Sequence, residues 1–273
     1  MESTIKQGCG IDKMSELDDS SIDAIITDPP YMTTDLSFDK NGFDLNEFLK
    51  ESLRVIKPNG YLAIFAPVEM QGVISQQFST RFSGIWYKQV PTMRTHSAKK
   101  PMSKQEIYCV YAHPKHKIKD LTWNAIKNYG FEPYKSVQRN RGFTRKDLPG
   151  KHNSSIDRAC TQTFTEDRYV CDNPGFRYQT DVIEASNKIG MSYAERTLHP
   201  TQKPIKLMSV LIKWLTNEGD VILDPFMGSG TTGVTARQLE RKFIGFEIDR
   251  EYYEIADDRI THAMDNFQET MEL

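Results

Sequence analysis

The sequence has 273 residues, 38% of them hydrophobic, which is enough to bury one large α/β core with a small insertion. No stretch is long and apolar enough to cross a membrane, and the start, Met1-Glu2-Ser3-Thr4, lacks the form of a signal peptide. The net charge of −2 argues, taken alone, against a nucleic-acid partner, and the four scattered cysteines (Cys9, Cys109, Cys160, Cys171) without Cys-x-x-Cys spacing read as reduced cytoplasmic thiols with no metal site.

In chain order, residues 1–21 predict a short leading strand or loop and a helix, with the acidic turn Glu16 to Asp19 feeding a buried strand, Ile22 to Thr27. That strand is stopped by Asp28-Pro29-Pro30-Tyr31. Each proline ring fixes φ and removes a backbone N–H, and the residue before each is pushed to extended geometry. The result is a rigid turn carrying an acceptor, Asp28, and an aromatic face, Tyr31, which suits an exposed amino group held against a flat ring. The plainer reading is an ordinary turn, since Asp and Pro are common in turns. A polar loop, Met32 to Lys40, follows.

Asp44 is placed to cap a helix through Arg54, with Phe43, Phe48, Leu49 and Leu53 as its apolar stripe. Pro58-Asn59-Gly60 ends it, and Tyr61 to Ala66 reads as the next buried strand. A helix at about 69–80 and strands near 84–89 and 106–111 continue the rhythm, which implies a doubly wound, mostly parallel sheet with an antiparallel edge.

Residues 113–177 lose that rhythm. The charge is polarised here: Lys88 to Lys151 holds fifteen Lys and Arg against four Asp and Glu, a local +11, while the rest of the chain is −13. One basic sector on an acidic molecule is the footprint of a duplex binder, with a merely solvated basic face as the alternative. Its aromatics, among them Trp123, Tyr129, Phe131, Tyr134 and Phe176, suit a small local core better than base-stacking wedges. Arg139, Asn140, Arg141, Arg145 and Lys146 form the run best suited to DNA contact, since Arg forks to guanine edges and phosphates while Asn can pair with adenine.

Val182 and Ile183 resume the core, and His199-Pro200-Thr201-Gln202-Lys203-Pro204 leads into a helix from Ile205 to Leu215. Asp220 to Asp224 then reads as a strand, followed by the turn Pro225-Phe226-Met227-Gly228-Ser229-Gly230 and a helix through Leu239. Gly228 and Gly230 permit a sharp bend and close approach to a ligand. A further strand, Phe243 to Ile248, places Glu247 where doubly wound folds grip a ribose, about twenty residues beyond the glycines. The last helix, Glu251 to Met264, packs through Tyr252, Ile255 and Ile260. Gly228-x-Gly230-x-x-Gly233 also fits a dinucleotide fingerprint. Against a nicotinamide dehydrogenase stand Asp224-Pro225, where such sites run straight into glycine, and the Asp28 turn, which hydride transfer does not need.

With Asp28 to Tyr31, His199 to Pro204, Phe226-x-Gly228-x-Gly230 and Glu247 in this order, the chain resembles the DNA amino-methyltransferases, in the permuted (beta) group whose Asp-Pro-Pro-Tyr half precedes its Phe-x-Gly-x-Gly half. The resemblance implies a seven-stranded Rossmann-like methyltransferase sheet, with residues 1–112 as its catalytic half, 113–177 as a target-recognition insertion and 178–273 as its cofactor-binding half. It implies S-adenosylmethionine as cofactor, over Phe226, Gly228 and Gly230, with Asp224 beside it and Glu247 on its ribose. Thr201, Gln202 and Lys203 are carried over as contacts at its methionine end, the alternative for Lys203 being a simple helix-start lysine. Cys9 stands where relatives often carry an acidic residue that reaches the adenine. The implied reaction is methyl transfer to the N6 amine of a flipped-out adenine in double-stranded DNA, with Asp28 and the Pro29 carbonyl on the amine, Pro30 stiffening the turn and Tyr31 stacked on the base. Cytosine-N4 and RNA remain alternative targets, and a non-catalytic DNA-binding module is the competing class. A bacterial or phage-encoded cytoplasmic protein is expected, and a homodimer and a cognate restriction enzyme stay open.

Overall fold

The computed structural model describes residues 3–30, 43–92, 101–139, 161–165, 168–173, 175–187 and 202–264. The chain forms two compact units, one from residues 1–124 with 181–273, the other from 125–180.

The first unit opens with β1 (Ser3–Gln7), α1 (Gly10–Met14) and β2 (Ile22–Thr27). Then come α2 (Leu45–Val55), β3 (Ile56–Phe65), α3 (Val68–Gln77), β4 (Ser79–Thr92) and β5 (Ser103–Ala112). The second unit holds β6 (Lys127–Tyr129), β7 (Tyr134–Arg139), β8 (Thr161–Thr165), β9 (Arg168–Asn173) and β10 (Phe176–Tyr178). The chain returns to the first unit with β11 (Val182–Ala185), α4 (Ile205–Leu215), β12 (Val221–Asp224), α5 (Thr231–Gln238), β13 (Lys242–Glu247) and α6 (Arg250–Thr261).

The first unit is built on an eight-stranded sheet in the order β1-β13-β12-β2-β3-β5-β4-β11. The α/β class holds, with one strand more than the seven expected. The eighth is β11, which runs parallel to β4 at the sheet's edge. It buries Ile183 and Ala185 and accepts the Trp86 indole N–H at the Ala185 carbonyl, 2.9 Å away. The antiparallel strand is not at the edge either: β5 lies inside, antiparallel to both β3 and β4.

The central strands are buried along nearly their whole length because helices cover both faces, so they read as continuous apolar runs rather than alternating ones. Ile25, Leu223 and Phe246 are fully or almost fully buried, and burial of such a side chain stabilises the fold by about 1.5–3 kcal/mol. Helix α2 adds Phe48, Leu49 and Val55 to this core. Its start is set by Asp44, whose carboxylate accepts the Asn46 and Glu47 N–H groups at 2.9 and 3.1 Å, satisfying two donors that the helix itself cannot. Among the described residues, no helix is long and apolar enough to cross a membrane.

The second unit consists of a two-stranded sheet, β6 with β10, and a three-stranded antiparallel sheet, β7-β9-β8. Phe176 is its buried aromatic, with Tyr178 edge-on at 5.2 Å and the Lys127 ammonium 5.0 Å from its ring centre. Tyr129 is 73% exposed. The chain just ahead of it packs on the first unit: Trp123 stacks on Trp214 at 5.5 Å, and the Asn124 N–H donates to the Trp214 carbonyl at 3.0 Å.

Candidate active site

Strand order reverses between β12 and β2. From β12 the chain passes to β13 on one side, and from β2 to β3 on the other. In open α/β sheets the crevice beyond the C-terminal strand ends at such a point is where ligands bind. The parallel register Ile222↔Ala24 and Leu223↔Ile25 brings the ends of these strands side by side. Asp28, Pro29 and Pro30 leave β2 there, and the Asp224 turn leaves β12.

Asp224 ties the two ends together. Thr27 Oγ1 donates to its Oδ1 at 2.7 Å across 197 residues of sequence, and Thr232 Oγ1, in the first turn of α5, donates to Oδ2 at 2.6 Å. The Phe226 N–H adds a third bond to Oδ1 at 3.2 Å. The carboxyl is only 4% exposed, so desolvation pushes its pKa up to about 6, against the opposing pull of Thr232, Thr27 and the Phe226 N–H. This has a consequence for stability. Between pH 3.8 and about 6 the unfolded chain gives up this proton while the folded chain keeps it, so stability falls as pH rises through that window and is level above it. The difference amounts to about 3 kcal/mol. Urea unfolding at a series of pH values is therefore expected to favour Asp224→Asn progressively over the natural chain from pH 4 to about pH 6, with no further change above that. Parallel pH profiles would refute the assignment.

The glycine turn is held from three directions. Gly228 has φ 52° and Gly230 φ 80°, left-handed conformations that side chains disfavour, and a Cβ on Gly230 would stand 2.9 Å from that of Ala256 in α6. Arg259 of α6 donates to the Ser229 carbonyl and, at 3.2 Å, to its hydroxyl. At the end of β13, Glu247 accepts the Gly228 N–H on Oε2 and the Asp249 N–H on Oε1, each at 2.9 Å. Burial raises the Glu247 pKa. Phe226 is half-buried against Phe43 and Phe48, with ring centres 5.4 and 5.7 Å away.

This donor set suits S-adenosylmethionine. Each Glu247 oxygen keeps a lone pair for a ribose hydroxyl, and the carboxylates of Asp28 and Asp224 offer negative charge to a ligand bearing an ammonium and a sulfonium.

The sequence reading missed a chain of charges that ends on Asp28. Lys203, immediately before α4, pairs with Asp28 Oδ2 and lies 3.4 Å from Glu106 Oε2 of β5. Glu106 in turn pairs with Lys88 of β4. The two lysine side chains are 10% and 6% exposed, and Glu106 is 36% exposed. The Lys203 ammonium sits 5.0 Å from the Phe65 ring centre and 5.9 Å from that of Trp86. Burial opposes its charge, but Asp28 and Glu106 outweigh that and raise its pKa. For Glu106, burial pushes the pKa up, and Lys203 with Lys88 pull it below the usual carboxylate value. In sequence, Lys88 and Glu106 read only as two charges of the basic sector. The one signal was a charged residue at the end of each of two apolar strand patterns.

Gln202 is buried beside Lys203 in the chain, ahead of Pro204, which opens α4. Tyr31, Thr201, Asn140, Arg141, Arg145 and Lys146 lie outside the described residues, as does the loop Met32 to Lys40, and Arg139 closes β7.

A family model described as DNA methylase matches residues 22–258. The chain is 30% identical over 274 residues to the Type II methyltransferase M.HpaI of Haemophilus parainfluenzae, covering 94% of this chain and 74% of that protein. Over 62 residues, 23% of either chain, it is 56% identical to the Type II methyltransferase M2.DpnII of Streptococcus pneumoniae. Among solved structures, it resembles the M1.HpyAVI–SAM complex with a TM-score of 0.60 at 26% identity, covering 95% of this chain and 99% of that one. The PvuII DNA methyltransferase, described as cytosine-N4-specific, gives a TM-score of 0.60 at 15% identity over 95% and 86% of the two chains, a likeness of fold alone.

Proposed function

Because the chain belongs to the N6/N4 DNA methylase family, and is thus an S-adenosylmethionine-dependent DNA methyltransferase, we propose that its target is the exocyclic N6 amine of an adenine flipped out of duplex DNA. The observation that carries this reading is the position of Asp28. Asp28-Pro29-Pro30 leaves the end of β2 beside the glycine turn that leaves β12, at the sheet's switch point.

An exocyclic amine conjugated to its ring is a poor nucleophile, because its lone pair is drawn into the π system. The Asp28 carboxylate and the Pro29 carbonyl accept its two hydrogens and favour a more pyramidal nitrogen. The bound cofactor supplies an electrophilic methyl on a sulfonium. The work of the chain is then positioning and electrostatics: Asp28 and Pro29 aim the nitrogen, and the proton it sheds leaves by way of the Asp28 carboxylate. Pro30 stiffens the turn and Tyr31 stacks on the flipped base. Gln202, with Thr201, faces the methionine end of the cofactor, Phe226, Gly228 and Gly230 lie under it, and Glu247 takes the ribose hydroxyls.

Adenine is favoured because the turn begins with Asp, the residue more typical of adenine enzymes in the family, where Ser is more typical of cytosine-N4 enzymes. The insertion at 113–177 serves target recognition, with Arg139, Asn140, Arg141, Arg145 and Lys146 contacting DNA. The relatives named as Type II methyltransferases support a cognate restriction enzyme as the cellular partner.

Expression in a host lacking its own DNA methylation, followed by sequencing that reads modified bases, tests this. The expected result is N6-methyladenine at one recurring short sequence. Recurring N4-methylcytosine would overturn the choice of base, and an unmodified genome would overturn the reading.

A further inference from the structure

The charge chain behind Asp28 raises a problem that the proposed chemistry has to solve. Lys203 occupies an oxygen of the carboxylate that, on that reading, must receive the target amine. A carboxylate committed to a full ammonium ion is a weaker acceptor for a neutral amine. Lys203 cannot retreat into solvent, since its side chain is 10% exposed and its ammonium lies against the rings of Phe65 and Trp86. It has a second anion within reach, Glu106 Oε2 at 3.4 Å, which is ion-pair range but longer than a hydrogen bond.

We infer that Glu106, held in place by Lys88, is a positioning residue that shares Lys203 with Asp28 and takes it over when the target amine docks. This rests on the catalytic role proposed for Asp28. Three features of the structure support it. Glu106 is anchored from the far side by the buried Lys88, so it presents a fixed acceptor rather than a mobile one. The four groups are two cations and two anions, so the cluster as a whole stays neutral when Lys203 changes partner, while Asp28 is left with its full charge for the amine. Trp86 and Lys88 stand two residues apart on β4, with Glu106 opposite Trp86 in the β4–β5 register, so rigid strands place both the dock and its anchor. The low pKa of Glu106 keeps it charged for this task.

The test is a double-mutant cycle on the single-turnover rate of methyl transfer to DNA, at saturating cofactor and DNA, with cofactor affinity measured by calorimetry on the same samples. Glu106→Gln is expected to slow transfer about tenfold or more in the natural background, with cofactor affinity changed less than about twofold. In a Lys203→Met background the same change is expected to have little further effect, because the residue it acts through is gone. Glu106→Asp, which keeps the charge, is expected to recover part of the rate, and it replaces Glu106→Gln in the cycle if that variant does not fold. Adding Lys88→Met to Glu106→Gln restores the charge balance but not the dock, so transfer is expected to stay slow. Equal slowing in both backgrounds, no slowing at all, or full recovery in the Lys88→Met/Glu106→Gln chain would each overturn the inference. A natural chain that transfers no methyl group to DNA would instead overturn the function proposed above.

Discussion

Asp28→Ala is expected to lower the turnover of methyl transfer at saturating S-adenosylmethionine by about a thousandfold in a chain that still folds. The size follows from what is removed. On the proposed mechanism Asp28 is one of two acceptors that aim the amine and bear its developing charge, and losing one such preorganised partner costs about a hundred- to a thousandfold in known sites. Alanine also strips the route for the departing proton, which places this case at the upper end. The core is untouched by the change, because Asp28 lies beyond the end of β2 and contributes no apolar surface to it; Lys203 and Lys88 are then left to share Glu106 as their counter-ion. Near-natural turnover in a folded Asp28→Ala chain would remove Asp28 from the reaction.

The second large effect is expected on binding. Glu247→Ala should weaken S-adenosylmethionine binding about a hundredfold or more, measured by titration calorimetry. Glu247 orders the site before any ligand arrives, because its two oxygens hold the Gly228 N–H and the Asp249 N–H. Its loss frees the glycine turn and deletes the acceptors for the ribose hydroxyls. Hydrogen bonds to a charged group contribute about 1.5–3 kcal/mol, and each 1.4 kcal/mol is tenfold in affinity. Glu247→Gln keeps one acceptor oxygen and should fall between the two. Unchanged affinity in folded Glu247→Ala would show that the cofactor does not rest on this residue.

Much of this site was legible in the sequence because its signals are local. A β-branched run stopped by two prolines is enough to end β2 at Thr27 and leave Asp28 at the strand's end. Pro204 followed by an apolar stripe marks α4 at Ile205–Leu215, the bounds the structure shows. The spacing of Gly228, Gly230 and Glu247 carries the turn and its acidic partner, because that geometry lies within a single β-α-β segment. What the sequence leaves silent is tertiary pairing. Nothing in local periodicity says that β5 inserts antiparallel between β3 and β4, or that β11 adds an eighth strand beside β4. The same silence hides the pairing of Lys203 with Asp28, 175 residues away, and the presence of Glu106 and Lys88 behind them. Asp224 shows a subtler case. Its place at the strand end was evident, but its engagement by two threonine hydroxyls and a backbone N–H emerges only when β2 and α5 close around it.

The most direct measurement is made on the purified chain: transfer of a labelled methyl group from S-adenosylmethionine to mixed-sequence duplex DNA, followed by digestion to nucleosides and mass analysis. The account predicts label in N6-methyladenine. Cofactor binding with no label in any nucleoside would contradict it.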